Sequence, residues 1–184
     1  MGKTVFLDRD GVINIDSAEY IKNESEFFFI DKSPEAIAKL TRAGFDIIVI
    51  TNQSVLARKF TTSKELEKIF NKMTTGVEAL GGKIKDIFFC PHMPNSGCSC
   101  RKPKPGLIFQ AKEKYDMDLS ESYMVGDSVK DIECAKNAGC GFSILVKTGN
   151  GQEAEKILAE KKINPDFIAQ NLFDAVNWII QQSG

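Results

Sequence analysis

Histidine is almost missing from this sequence: His92 is the only one among 184 residues. An excess of charge is missing as well. With 24 basic and 25 acidic residues the formal net charge is −1, so no broad basic field favours nucleic acid or an anionic membrane. Long apolar runs are absent; stretches such as 47–50 are far too short to span a bilayer. The opening residues enter a strand-like run at once and lack the shape of a signal peptide. Phe6 stands where a myristoylation motif needs Ser or Thr. The five cysteines are an odd number, and with no secretion signal they argue against a disulfide framework and for a reduced, cytoplasmic chain. Low-complexity tracts, internal repeats and linkers are also lacking. The remaining balance, 42% hydrophobic and 27% charged, predicts one globular domain over 1–184, taken as a monomer because nothing indicates an oligomer.

What is present alternates between two periodicities. Short β-branched or apolar runs predict strands at 4–7, 45–50, 84–90, 122–125, 142–146 and 167–168. Helical spacing predicts helices starting at Ser33-Pro34, with Ser33 as N-cap and Gly44 as stop, and then over 62–80, 105–115, 131–138, 153–161 and 172–181. In the longer helix Leu66, Ile69, Phe70, Met73, Val77 and Leu80 share one face. Strands separated by single helices predict an α/β, Rossmann-like three-layer sandwich with a central parallel sheet and right-handed crossovers. Asp8, Thr51 and Asp127 each fall just past the carboxyl end of a predicted strand, the edge of an open parallel sheet where ligands bind.

Asp8-Arg9-Asp10-Gly11 sets two carboxylates two residues apart, able to approach one ion at a strand-to-loop turn. Mg²⁺ takes carboxylate, water and phosphate oxygens, and Asp127 could add another ligand. A carboxylate can also attack phosphorus if a cation and a hydroxyl such as Thr51 offset the charge repulsion. The second Asp would then protonate the leaving oxygen and activate water. A lone Asp-x-Asp pair could equally be a solvated turn.

A second cluster lies at Cys90-Pro91-His92 and Cys98-Ser99-Cys100. Four soft ligands in one loop, turned by Pro91, Pro94 and Gly97, predict a closed tetrahedral Zn²⁺ site of structural type. The alternatives are unrelated thiols with a surface histidine, or a Cys98–Cys100 disulfide closing a small, strained ring. If His92 holds metal, no imidazole remains for acid/base work, and catalysis rests on carboxylates.

These residues carry a family resemblance. Phe6-Leu7-Asp8-Arg9-Asp10-Gly11-Val12, Ile50-Thr51-Asn52-Gln53, Arg101-Lys102-Pro103 and Val125-Gly126-Asp127-Ser128-Val129-Lys130-Asp131 resemble, in order, the four motifs of haloacid dehalogenase (HAD) superfamily phosphatases. The resemblance implies Asp8 as nucleophile and Mg²⁺ ligand, and Asp10 as general acid/base with its backbone carbonyl on the metal. It further implies Thr51 and Lys102 on the phosphoryl group and Asp127 as a further Mg²⁺ ligand, and it leaves Asp131 as a supporting or helix-start carboxylate. The zinc loop running into Arg101-Lys102 resembles one branch, the D-glycero-D-manno-heptose 1,7-bisphosphate 7-phosphatases and the related histidinol-phosphatases. That branch implies substrate contacts from Asp16, Ser17, Ala18 and Glu19, from Thr51, Asn52, Gln53 and Ser54, and from Arg101.

The intervals between motifs leave no room for a separate cap domain, so specificity falls to loops and the expected substrate is a small phosphorylated metabolite. The segment from Lys104 to Leu107 and the fourth motif lean towards the heptose enzyme, with histidinol phosphate as the alternative substrate. A non-catalytic, zinc-stabilised binding domain would have lost a catalytic carboxylate or lysine, and none is lost. Val55 and Lys59 depart from the branch where glycine is expected, which predicts a loop of reduced backbone freedom.

Overall fold

The β-branched runs pair into one sheet. The structure is a computed structural model and describes residues 3–183. Six strands, β1 (Thr4–Leu7), β2 (Asp46–Asn52), β3 (Asp86–Cys90), β4 (Tyr123–Gly126), β5 (Phe142–Val146) and β6 (Phe167–Ala169), lie in the order β3-β2-β1-β4-β5-β6. All neighbours are parallel. Helices α1 (Ser33–Arg42), α2 (Ser63–Glu78), α3 (Gly106–Tyr115), α4 (Val129–Ala138), α5 (Gly151–Glu160) and α6 (Leu172–Ser183) make the crossovers and the final turn.

Side-chain alternation along the buried strands divides the core. Val5, Leu7, Val49 and Val125 pack with Leu40, Met73 and Ile179 of α1, α2 and α6. Phe6, Ile48, Ile50 and Met124 face the other way, onto Ile108 and Ala111 of α3 and Cys134 of α4. The sandwich therefore has three layers, as expected. Strand order reverses between β1 and β4, so the crevice past their carboxyl ends is the topological switch point of the sheet. Among the described residues no helix is long and apolar enough to cross a membrane.

Local departures from expectation have simple causes. Lys32, with φ 60°, and not Ser33 occupies the N-cap of α1; the Ser33 hydroxyl instead donates to the Ile13 carbonyl at 2.6 Å. Helix α2 stops at Glu78, and Leu80 beyond it is exposed. Of the consecutive Phe27, Phe28 and Phe29, only Phe27 is fully buried, while Phe28 faces solvent. Phe29 lies so close to Gly76 of α2 that a Cβ there would sit 2.5 Å from its ring, which anchors the base of the 14–26 flap.

Candidate active site

The sheet itself places the chemistry. Asp8 follows β1, and its backbone N–H donates to Val125 O of β4 at 3.0 Å, so the first and fourth motifs are locked side by side. Thr51 ends the buried part of β2, next to β1. Asp127 follows β4. Lys102 arrives from the loop after β3, where its N–H donates to Asn52 Oδ1 at 3.1 Å and its carbonyl accepts from Asn52 Nδ2 at 3.3 Å. Its Nζ then reaches inward to Ile50 O at 3.0 Å, to Asp8 Oδ1 at 2.8 Å and to Asp131 Oδ1 at 2.6 Å.

A cleft of about 350 Å³ opens over these groups. Asp8, Asp10, Asp16, Ser17, Ala18, Thr51, Asn52, Ser54, Arg101, Lys102 and Asp127 all line it. Gln53 lies just beneath instead: its Nε2 donates to Asp10 Oδ2 at 3.0 Å and to Thr51 Oγ1 at 2.9 Å. Glu19 is exposed and outside the wall. Tyr20, Arg58, Pro94, Ser128, Lys130 and Asn150 also line the cleft. Of these, Asn150 had a weak signal, since it lies in the loop between the carboxyl end of β5 and the start of α5; Arg58 and Lys130 carried none beyond their nearness to motifs.

Burial and charge set the carboxylates apart. Burial raises Asp8, and although Lys102 pulls it down, repulsion from Asp131 helps hold it up at about 7. Asp127 is pushed to about 8, by burial first and then by Asp131 and Asp8. Lys102 is raised despite burial, because Asp131 and Asp8 both favour its charge. Asp10 behaves oppositely. Burial works to raise it, but the Arg9 guanidinium, bonded to both of its oxygens at 2.7 and 2.9 Å, outweighs that and holds it below the ordinary value, aided by Asn14 and Gln53. The Asp10 carboxylate thus does not share an ion cluster with that of Asp8. The oxygens that converge, within 4.8 Å of one another, belong to Asp8, Asp127 and Asp131.

Asp131 is already engaged on both sides. Its Oδ2 accepts from Ser128 N and Oγ at 3.0 and 2.6 Å, closing a capping box at the start of α4. That leaves Asp8 and Asp127 as the available oxygen donors. An all-oxygen set carrying more negative charge than Lys102 offsets fits a hard dication such as Mg²⁺. Asp127 is aimed tightly: Asn150 N donates to its Oδ2 at 2.8 Å, and a Cβ on either Gly11 or Gly149 would come within 2.1 Å of that same oxygen. A Gly149→Ala substitution, at φ +56°, is therefore expected to displace Asp127 and lower turnover about 100-fold, the scale of a 1 Å misplacement, with a higher Mg²⁺ requirement in a metal titration. Unchanged Mg²⁺ dependence would show that the carboxylate has other room.

The flap closes over one wall. Asp16 Oδ2 accepts from Asn150 Nδ2 at 3.1 Å, tying the flap to the residue that holds Asp127. On the other side the Arg58 guanidinium lies 5.5 Å from the Tyr20 ring centroid. Residues 54–58 form a single helical turn that ends as a Schellman motif, with Lys59 N donating to Leu56 O at 2.9 Å and Phe60 N to Val55 O at 3.1 Å. Lys59 takes φ 59° there, so the left-handed position survives without its glycine. Lys59→Gly should stabilise the fold by about 1 kcal/mol, read as a higher urea midpoint; no gain would mean the strain is relieved elsewhere.

The four residues expected to hold zinc converge as well. Cys90 Sγ lies 3.1 Å from Cys100 Sγ and 3.7 Å from Cys98 Sγ, and His92 Nδ1 lies 3.5 and 3.3 Å from Cys90 and Cys100. Zn–S bonds of 2.3 Å in a tetrahedron put sulfurs about 3.8 Å apart, so the set needs only slight opening. All three cysteines are free thiols. Hydrogen bonding, first from Ser96, lowers Cys98 to about 6, whereas burial and the neighbouring thiols raise Cys100 to about 12; a soft dication would hold all three as thiolates. The loop reaches the cleft directly, because Arg101 Nη1 donates to His92 O at 3.1 Å. Cys134 is buried in the core, and Cys140 packs against it half-buried.

Comparison with known proteins agrees with this geometry. The HAD-hydrolase-like family model matches residues 99–175. The D-glycero-beta-D-manno-heptose-1,7-bisphosphate 7-phosphatase of Pseudomonas aeruginosa is 47% identical over 147 residues, 80% of this chain and 82% of the relative. The enzyme of the same name from Neisseria meningitidis serogroup A is 36% identical over 181 residues, 98% of this chain and 96% of its own. The crystal structure of D,D-heptose 1,7-bisphosphate phosphatase from B. bronchiseptica, complexed with magnesium and phosphate, superposes with a TM-score of 0.92 at 38% identity, covering 98% and 99% of the two chains.

Proposed function

The chain belongs to the HAD-like heptose-1,7-bisphosphate 7-phosphatase family, and from that premise we propose that it removes the 7-phosphate of D-glycero-D-manno-heptose 1,7-bisphosphate with Mg²⁺ as cofactor. The observation that carries this reading is the convergence of Asp8, Asp10, Thr51, Lys102 and Asp127 on one cleft at the switch point of the sheet. Asp8 is the nucleophile. One of its oxygens attacks phosphorus as the bond to the sugar oxygen breaks, giving an aspartyl-phosphate. To act as the general acid Asp10 must first take up a proton against the pull of Arg9, and it then passes that proton to the leaving oxygen. In the second half Asp10, ionised and favoured in that form by Arg9, takes a proton from the attacking water, and the bond from Asp8 to phosphorus breaks. Thr51 Oγ1 and Lys102 Nζ hold the phosphoryl oxygens, and Asn52 keeps the lysine backbone in register. Mg²⁺, held by Asp8, Asp127 and the Asp10 carbonyl, supplies Lewis-acid neutralisation of the phosphoryl charge. Cys90, His92, Cys98 and Cys100 would hold Zn²⁺, which would fix the loop that presents Arg101.

Charge favours the sugar bisphosphate over histidinol phosphate. Arg58, Arg101 and Lys130 line the cleft, and none of them pairs with a carboxylate among the described residues. A second phosphate gains from these cations, whereas the amine of histidinol phosphate is repelled. Specificity constants for both compounds on one preparation test the reading. The bisphosphate should be preferred by about 100-fold or more; equal or better turnover of histidinol phosphate would overturn it.

A further inference from the structure

The flap stands between two spaces. Behind it, on the side away from the catalytic cleft, lies a second cavity of about 400 Å³, bounded by the loop that follows β5. Asp16, Ala18 and Asn150 line both cavities, so this part of the flap is a thin wall with room on either face. Asp16, Ala18 and Glu19 are exposed. The hydrogen bonds of 16–21 are local turns, such as Ser17 N to Asp16 Oδ1 at 2.8 Å and Tyr20 N to Ser17 O at 3.0 Å. Among the described residues a single hydrogen bond runs from 16–21 to the body of the domain, that of Asn150 Nδ2 to Asp16 Oδ2 at 3.1 Å.

The same nitrogen has a second acceptor. Asn150 Nδ2 also donates to Asp127 Oδ2, at 3.2 Å, beside the bond from Asn150 N. A primary amide carries two N–H groups on one planar nitrogen, so one hydrogen serves each carboxylate. The plane fixes the angle between them. An amide that turns to follow Asp16 therefore turns its other hydrogen away from Asp127. Asn150 is spared for this duty, because it stands at the N-cap of α5 without capping it. Its loop is braced independently of the flap, since Thr148 Oγ1 donates to Gly11 O at 2.6 Å.

We propose that Asn150 is a positioning residue that couples the flap to the metal site. A docked flap sets the amide onto Asp127, and a cation held by Asp127 in turn favours the docked flap. The inference rests on the Mg²⁺ reading above and adds to it a link between two events, the seating of the flap over the cleft and the retention of the ion. Linkage makes the effect reciprocal: the factor that docking adds to Mg²⁺ affinity is the factor that Mg²⁺ adds to docking.

The test measures both sides without substrate, on zinc-loaded protein. Mg²⁺ affinity is read by displacement of Mn²⁺, which takes the same oxygen ligands, followed by electron paramagnetic resonance. Flap order is read by hydrogen exchange over 14–26 with and without Mg²⁺. In wild type Mg²⁺ should slow that exchange. Asn150→Ala should weaken Mg²⁺ about tenfold, the scale for losing a group that orients a metal ligand, and should abolish the slowing. Asp16→Ala removes a carboxylate that accepts only from Ser17 and Asn150. It should weaken Mg²⁺ several-fold in the wild-type background and cause no further loss in Asn150→Ala. Equal losses in the two backgrounds would show that Asp16 acts by its charge alone. That result, or flap exchange indifferent to Mg²⁺ in wild type, would overturn the coupling while leaving Mg²⁺ on Asp127 intact. Wild type that binds no Mg²⁺ would overturn the metal reading itself. Both side chains are exposed and Asn150 caps no helix, so the alanine variants keep the fold, which a thermal melt verifies.

Discussion

Asp8→Asn is expected to cut phosphate release by about 10⁴-fold or more, the scale seen when a covalent nucleophile is removed, while the chain stays folded. The amide has nearly the same shape but cannot attack phosphorus. Folding should survive for an electrostatic reason. Asp8 titrates at about 7 in the fold against an ordinary 3.8, so its ionisation costs stability as pH rises through that window and is fully felt above it. Removing the charge removes that cost, and Lys102 keeps Asp131 as partner at 2.6 Å. In metal-free protein at pH 8 the Asn variant should melt no lower than wild type. Rapid-quench detection of an acid-stable phosphoprotein with wild type but not with Asp8→Asn would complete the case; undiminished turnover in the variant would end it.

The second large effect lies outside the residues placed on the reacting phosphate. Cys100→Ser should abolish stoichiometric zinc, lower thermal stability by several degrees, and reduce kcat/KM without touching any group that contacts phosphorus. The path is short. Cys90 and Cys100 of the proposed zinc set are buried, the His92 carbonyl receives Arg101, and the next residue is Lys102. Loss of a mere supporting contact around a metal costs about 10–100-fold in affinity or activity, and loss of a ligand should exceed that. Zinc analysis beside a thermal melt decides it. A Cys100→Ser protein with one zinc and an unchanged melting temperature would show that the thiols only pack.

The fold and much of this cleft were legible in the sequence because both depend on local rules. Buried parallel strands write themselves as β-branched runs, and residues after their ends must meet at one edge, so Asp8, Thr51 and Asp127 could be grouped before any coordinates. What was not legible depends on distant pairing. That Asp10 turns to Arg9, Asn14 and Gln53 follows from a bidentate contact and a reach from β2, which no spacing encodes. The placement of Gln53 under the wall rather than in it, and of Glu19 outside it, is a matter of side-chain direction. Asn150 and Lys130 enter the cleft only because β5 and α4 are stacked beside β4. At Lys59 the residue type argued against a left-handed backbone, yet the Schellman bonds of the turn, with Val55 buried beneath, outweigh that local preference.

Asp131 has a consequence for the timing of charge. In the proposed cycle Asp8 loses its formal charge when it becomes an acyl phosphate, the displaced charge leaving on the sugar oxygen, and the charge returns when water cleaves that anhydride. A lysine paired with Asp8 alone would see its counter-ion change identity twice per turnover and could drift with it. Lys102 is instead moored to Asp131, whose other oxygen is pinned by Ser128 at the head of α4. The ammonium therefore has a fixed anchor in every state of the cycle, and only the partner on its far side alternates. The helix that follows the fourth motif serves as the stationary pole of the site, against which the reacting carboxylate works.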